Sequence, residues 1–203
     1  MVNRREFLGR GFASLAVAAA MPAIPSWAIG PITGADNSRI IRIARRALDA
    51  NAGVVRRRDV VGVTDFSAAS RDPRFYLVDM VSGQVSSFLV AHGRGSDPSH
   101  TGWVQQFSND PGSCASSPGA YLTGDYYTGK HGRSMRLMGL EHSNSNAESR
   151  AVVVHGAWYV SNEMAREKGK IGRSEGCFAF AEHDLPRVLD QLGPGRLLYA
   201  TKL

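Results

Sequence analysis

Ile40, Ile43, Ala44, Ala47 and Leu48 recur three and four positions apart, the spacing of one helix face. Asp36 to Ser38 supply N-cap side chains and Gly53 a stop, so residues 36–53 are predicted as a first helix. Beyond it the pattern turns strand-like. Residues 59–66 read as a strand, and residues 74–93 as a hairpin of two β-rich runs that turns at Ser82-Gly83. Residues 119–129, 134–140 and 150–156 predict three more strands, the last a buried run ending in His155-Gly156. Residues 161–170 suit a short helix. Residues 182–193 suit another, with Pro186 in its first turn and Gly193-Pro194 at its end. Residues 196–201 form a closing strand. From Gly93 to Pro118 the chain is rich in Gly, Ser, Asp and Pro, and so long a connection is usually functional or mobile. Many short strands with few helices predict a β-rich α+β domain. No internal repeat, low-complexity tract or second domain is evident.

The N-terminus follows a different logic. Arg4 and Arg5 precede Phe7 and Leu8, an apolar run extends from Gly11 to Ala20, and Ser26-Trp27-Ala28 offers small residues for cleavage. A basic start, a short apolar core and such a site describe an export signal over residues 1–28. The Arg-Arg-x-Phe-Leu order resembles the twin-arginine signal of bacteria. The apolar run is too short for a membrane span, and Pro22 and Pro25 close it. Processing would leave 175 of the 203 residues with the net charge reduced from +6 to +4, placed in the periplasm or cell envelope. A basic exported chain is drawn to anionic envelope polymers, and solvated arginines alone give the same charge. No zinc-finger spacing, basic-aromatic nucleic-acid motif or long charge block is present.

Two cysteines, Cys114 and Cys177, carry the candidate chemistry. An even count in an exported chain reads first as a disulfide. Cys177, however, stands behind Gly176 after Arg173, Ser174 and Glu175, on a bend that could present a nucleophile. A thiol attacks as its thiolate and needs a base. His155, 22 residues upstream at a rigid strand end, is the candidate. The Gly156 carbonyl can orient its ring, and the amides around Gly176 and Cys177 can face an oxyanion. A histidine closing a core strand is more often structural. His92-Gly93 repeats the dipeptide with no cysteine at a suitable distance and is read as structural. Trp103, Trp158 and Tyr159 suit either a groove or the core, and the run from Ser143 to Ser149 reads as a solvated loop.

Taken together, Val152 to Ser161 and Ile171 to Phe180 resemble the L,D-transpeptidase (YkuD-like) family. That family pairs a His-Gly at a strand end with a later Ser-x-Gly-Cys. Ser116 to Gly124 is similar to its Pro-Gly-x-aromatic segment, and Tyr127 to Glu141 resembles the subgroup called murein L,D-transpeptidase catalytic domain 2. The resemblance spans Phe75 to Leu198. It implies a sandwich of mostly antiparallel strands with a few short helices, over residues 59–203 behind an N-terminal helix and linker at 29–58. It also implies Cys177 as nucleophile, His155 as base and Gly156 as the carbonyl that orients it. Arg173, Ser174 and Gly176 would contact substrate. Apart from the resemblance, His131 reads equally as a substrate-groove residue or an exposed turn histidine. Most members carry a second histidine where this chain has Glu175. Many carry an arginine shortly after the cysteine, where Phe178, Ala179 and Phe180 follow here. Arg173 is the candidate to replace that charge. The implied partners are peptidoglycan stem peptides, and the implied reaction is acyl transfer through a thioester with no metal or cofactor.

Two other readings of the same residues stand beside it. One is a non-catalytic wall-binding domain with a Cys114–Cys177 disulfide. The other is a thiol hydrolase acting on ordinary peptides.

Overall fold

The computed structural model describes residues 34–203. The export signal read from residues 1–28 lies outside them. The elements in chain order are α1 (Gly34–Ala50), β1 (Val60–Asp65), β2 (Phe75–Asp79), β3 (Val85–Phe88), β4 (Val90–Ala91), β5 (Gly119–Gly129), β6 (Gly132–Gly139), β7 (Val153–Gly156), α2 (Asn162–Lys168), β8 (Phe178–Phe180), α3 (Leu185–Leu192) and β9 (Leu197–Thr201). The strands form one sheet in the order β3-β2-β1-β9-β5-β6-β7-β8-β4. The β1–β9 and β7–β8 pairs are parallel. The other neighbouring pairs are antiparallel. This is the β-rich α+β fold that the strand count predicts.

Strands β3 and β4 stand at opposite ends of that order, yet Leu89 alone separates them. The sheet therefore curls until its two edges nearly meet. The alternation of side chains fills both faces. Phe75, Phe88, Val90, Tyr121, Met135, Val154, Phe178 and Phe180 point into a shared core, which α3 joins through Val188, Leu189 and Leu192. On the opposite face Val61, Val63, Val78 and Leu197 pack against Ile40, Ala44, Ala47 and Leu48 of α1. Near α2, Ala165 packs with Leu89, Ala91 and Ala179. Gly62 is set by this packing, because a Cβ there would lie 2.8 Å from the Phe75 ring.

The joint at Leu89 is held by a buried arginine. Arg74 is fully enclosed. Its Nε and Nη2 donate to the Val90 carbonyl at 3.1 and 3.0 Å, and its Nη1 donates to the Ala68 carbonyl at 2.9 Å. An enclosed guanidinium is tolerable only when its N–H groups find such acceptors.

Several local readings change. The predicted hairpin turns where expected, with Asp79 Oδ1 accepting from the Val81 and Ser82 amides and Gly83 at φ 75°. Its second arm, though, breaks at Leu89 and crosses to the other sheet edge. Strand β8 went unread because a three-residue run carries little periodicity. The run from Ser143 to Ser149 is no plain solvated loop: Asn144 is buried and donates to the Ala120 carbonyl at 2.8 Å. Residues 93–118 are tied down by Asp97, whose carboxylate accepts from the Thr101 and Gly102 amides at 2.8 Å each. Among the described residues no helix is long and apolar enough to cross a membrane.

Candidate active site

The bend from Arg173 to Cys177 is built onto the end of β4. The Ser174 amide donates to the His92 carbonyl at 2.9 Å, and the Arg94 amide donates to the Ser174 carbonyl at 2.7 Å. Ser174 Oγ donates to the Cys177 carbonyl at 2.7 Å and accepts from the Gly176 amide at 3.2 Å. That contact takes up the Gly176 N–H, one of the amides expected to face an oxyanion. Gly176 sits at φ 113°, and a Cβ there would lie 2.8 Å from the Ala115 carbonyl oxygen. Gly93 is equally constrained, since its Cβ would lie 2.3 Å from the Cys114 carbonyl oxygen and 2.7 Å from the Gly176 nitrogen. The glycine before the cysteine is thus demanded twice, by its dihedral and by its neighbours.

His155 ends β7, paired in parallel register with Ala179 of β8, two residues after Cys177. Its ring is almost fully buried, with Nδ1 at 2.8 Å from the Gly156 carbonyl oxygen. A carbonyl only accepts, so the Nδ1 proton is fixed there and Nε2 keeps its lone pair. Burial pushes the His155 pKa down to about 4; the Gly156 bond opposes this, and His131 and Lys130 push the same way. Burial also raises the Cys177 pKa. A backbone hydrogen bond from Val153 and the charges of Lys130 and Arg150 lower it, and Glu175 raises it further. Cys177 Sγ donates to the Ala151 carbonyl at 3.5 Å, and with its pKa pushed up and that of His155 pushed down both groups rest neutral. A neutral thiol and a neutral imidazole suit general-base transfer of the thiol proton rather than a preformed ion pair.

Both groups line one cavity of about 470 Å³. It brings together the predicted Cys177, His155, Ser174, Arg173 and His131, whose ring stacks on His155 with centroids 4.1 Å apart. Gly156 and Gly176 act from behind through their backbone. Arg173 reaches the wall, but its Nη1 donates to the carbonyls of Asp97 and Pro98. The cations that favour the thiolate are instead Lys130 and Arg150. Arg150 is braced by Ser117 Oγ at 2.6 Å and the Ser108 carbonyl at 2.9 Å. Arg94, Tyr127, Lys130 and Arg150 were not read as site residues. They come from a hairpin tip and long loops, and only the density of basic residues hinted at them. Tyr159 lines the cavity as a groove residue would, while Trp158 is 75% exposed. Cys114 and Cys177 are both free thiols, so the paired arrangement of the alternative reading is not the one observed. Cys114 Sγ accepts instead from Arg94 Nη2 at 3.2 Å. Among the described residues no cluster of three or more His, Cys, Asp or Glu could hold a metal ion.

Comparison with curated proteins finds no match. Among solved structures, an L,D-transpeptidase from Mycobacterium smegmatis is similar at 13% identity and TM-score 0.42, covering 70% of this chain and 58% of its own. L,D-transpeptidase 1 from Mycobacterium tuberculosis gives 14% identity and TM-score 0.38, covering 70% and 60%. The helical cell shape determining protein Pgp2 from Campylobacter jejuni gives 10% identity and TM-score 0.44, covering 70% and 47%. The chain therefore spans less than two thirds of the length of each of these proteins. Residues 37–201 match the model of the L,D-transpeptidase catalytic domain (YkuD_2), and the chain belongs to that family.

Proposed function

We propose that this chain is a cysteine-dependent transpeptidase of peptidoglycan stem peptides, exported to the cell envelope by residues 1–28. One observation carries the reading: Cys177 and a histidine whose Nδ1 is fixed by its neighbour's carbonyl line the same cavity. His155 Nε2 takes the Cys177 proton as sulfur attacks the amide carbonyl after the L-centre of diaminopimelate. The resulting imidazolium protonates the departing nitrogen, D-alanine leaves, and a thioester remains. The side-chain amine of a second stem then attacks the thioester carbonyl. It gives up its proton to His155 and expels the thiolate as the cross-link forms. Water in place of the amine would give an L,D-carboxypeptidase, and a lipoprotein lysine an anchoring reaction. Arg94, Lys130, Arg150 and Arg173 around the cavity suit a substrate bearing carboxylates.

The test is mass spectrometry of disaccharide-tetrapeptides incubated with residues 29–203. The expected product is a dimer that has lost one D-alanine, formed by the parent and absent with Cys177→Ala. Equal product from both proteins, or none from either, would remove the assignment.

A further inference from the structure

We propose that His131 is a positioning residue for the base: from a hairpin tip its ring lies flat on the His155 ring, fixes that ring's plane in the cavity, and blocks its protonation when itself charged. The proposal rests on the reading of His155 as the base.

Strands β5 and β6 pair from Tyr121↔Gly139 out to Gly129↔Gly132, with a register shift between Thr123 and Tyr126 that bends the ribbon. Its outer part is fastened to α3, Tyr126 donating to the Leu189 carbonyl at 2.8 Å and Arg133 Nη1 to Asp190 at 2.9 Å. Only Lys130 and His131 lie between the two strands, and Gly132 at φ 72° allows so tight a reversal. The turn brings the two rings to 4.1 Å between centroids with 20° between planes. Among the described residues the one hydrogen bond to the buried His155 ring is at its edge, from Nδ1 to Gly156. An imidazole held at one edge can still rock about that bond. A second ring flat against its face removes that freedom.

The stack also couples the two charges. When His155 takes the Cys177 proton it becomes a cation, which a neutral His131 face accepts. A protonated His131 would oppose it with like charge at close range. The charges set around the pair are Lys130 on the same turn, Glu175 and Arg173 on the cysteine bend, and Arg150 and Arg94 on the facing wall. Burial and Lys130 hold the His131 pKa below the ordinary histidine value, against Glu175, which keeps the upper ring neutral at working pH.

Two variants separate the plane from the charge. His131→Phe keeps a flat ring without a titrating group; His131→Ala removes both. The first readout is acylation of Cys177 by a carbapenem at pH 8. His131→Phe should stay within about twofold of the parent, and His131→Ala should lose about tenfold. The second readout is the NMR titration of the His155 ring in the resting protein, which needs no turnover. Its midpoint should rise in both variants as the neighbouring charge disappears, and rise further in His131→Ala. Parental acylation by His131→Ala, equal losses in the two variants, or an unmoved His155 titration would each overturn the proposal. A transpeptidase reading that failed for lack of product would leave the titration readable.

Discussion

Of the three His-Gly pairs in the chain, His92-Gly93 and His155-Gly156 stand on either side of one strand. Strand β8 is flanked by β7, ending in His155-Gly156, and by β4, running into His92-Gly93. Both histidines are buried, and burial drives both pKa values down, to about 4 and about 3. What differs is the company of the second nitrogen. His92 Nδ1 accepts from Arg74 Nη2 at 2.7 Å, and its Nε2 is walled in 3.4 Å from Asp97 Oδ2. His155 gives its Nδ1 to a carbonyl and lines the cavity that holds Cys177. On the proposed reading the same dipeptide makes a base at His155 and a strut at His92, according to what closes over the ring.

The largest effect expected is on chemistry. Cys177→Ala should abolish thioester formation with a carbapenem, and His155→Ala should slow it about a hundredfold or more. His92→Ala should slow it far less once the rate is expressed per folded molecule. If His92→Ala proves as slow as His155→Ala by mass spectrometry, the division into base and strut fails.

Stability should divide the other way. His92→Ala strands a donor of the enclosed Arg74 and should lower the urea-unfolding free energy by about 2–3 kcal/mol. His155→Ala, beside an open cavity, should lower it by about 1 kcal/mol. Equal losses would mean that both rings serve packing alone.

The third expectation is a shared pH dependence. Each histidine is neutral in the fold with its pKa below the unfolded value of about 6.5. Below that pH the unfolded chain takes up protons that the fold refuses, so stability falls as pH drops. Between pH 6.5 and 5 each ring should remove about 2 kcal/mol. Replacing His92 with Gln should lessen the fall seen in urea midpoints at pH 7 and pH 5. An undiminished fall would place the sensitivity elsewhere.

The smallest effect concerns Glu175. It is largely exposed and 3.4 Å from Arg94, yet it raises the Cys177 pKa. Glu175→Gln in a Cys114→Ala background should move the midpoint of iodoacetamide alkylation slightly down, and Lys130→Ala should move it up. Superimposable curves would show that neither charge tunes the thiol.

The contrast between the two pairs also marks how far the sequence could be read. His155 and Cys177 were legible because a strand-ending His-Gly and a Ser-x-Gly-Cys bend are local patterns. His92 was separated from His155 only by lacking a cysteine at a suitable distance. Its pairing with Ser174 was invisible, since it depends on β4 lying beside β8. Arg74 illustrates the limit well. An arginine opening a β-rich run reads as a solvated flank, and its burial depends on carbonyls of Val90 and Ala68 that only the curled sheet supplies. Lys130 and Arg150 escaped for the same reason, as their charges matter through where two loops end.

Leu89 has one more consequence, for how the protein behaves in a crowd. The strands at the two sheet edges, β3 and β4, span four and two residues. Long unpaired edges recruit strands from neighbouring copies, whereas short ones offer little template. By joining its own margins through a single residue, this sheet offers other molecules little ladder to extend. Inserting residues beside Leu89 would part those margins and turn a self-limited sheet into one open to aggregation.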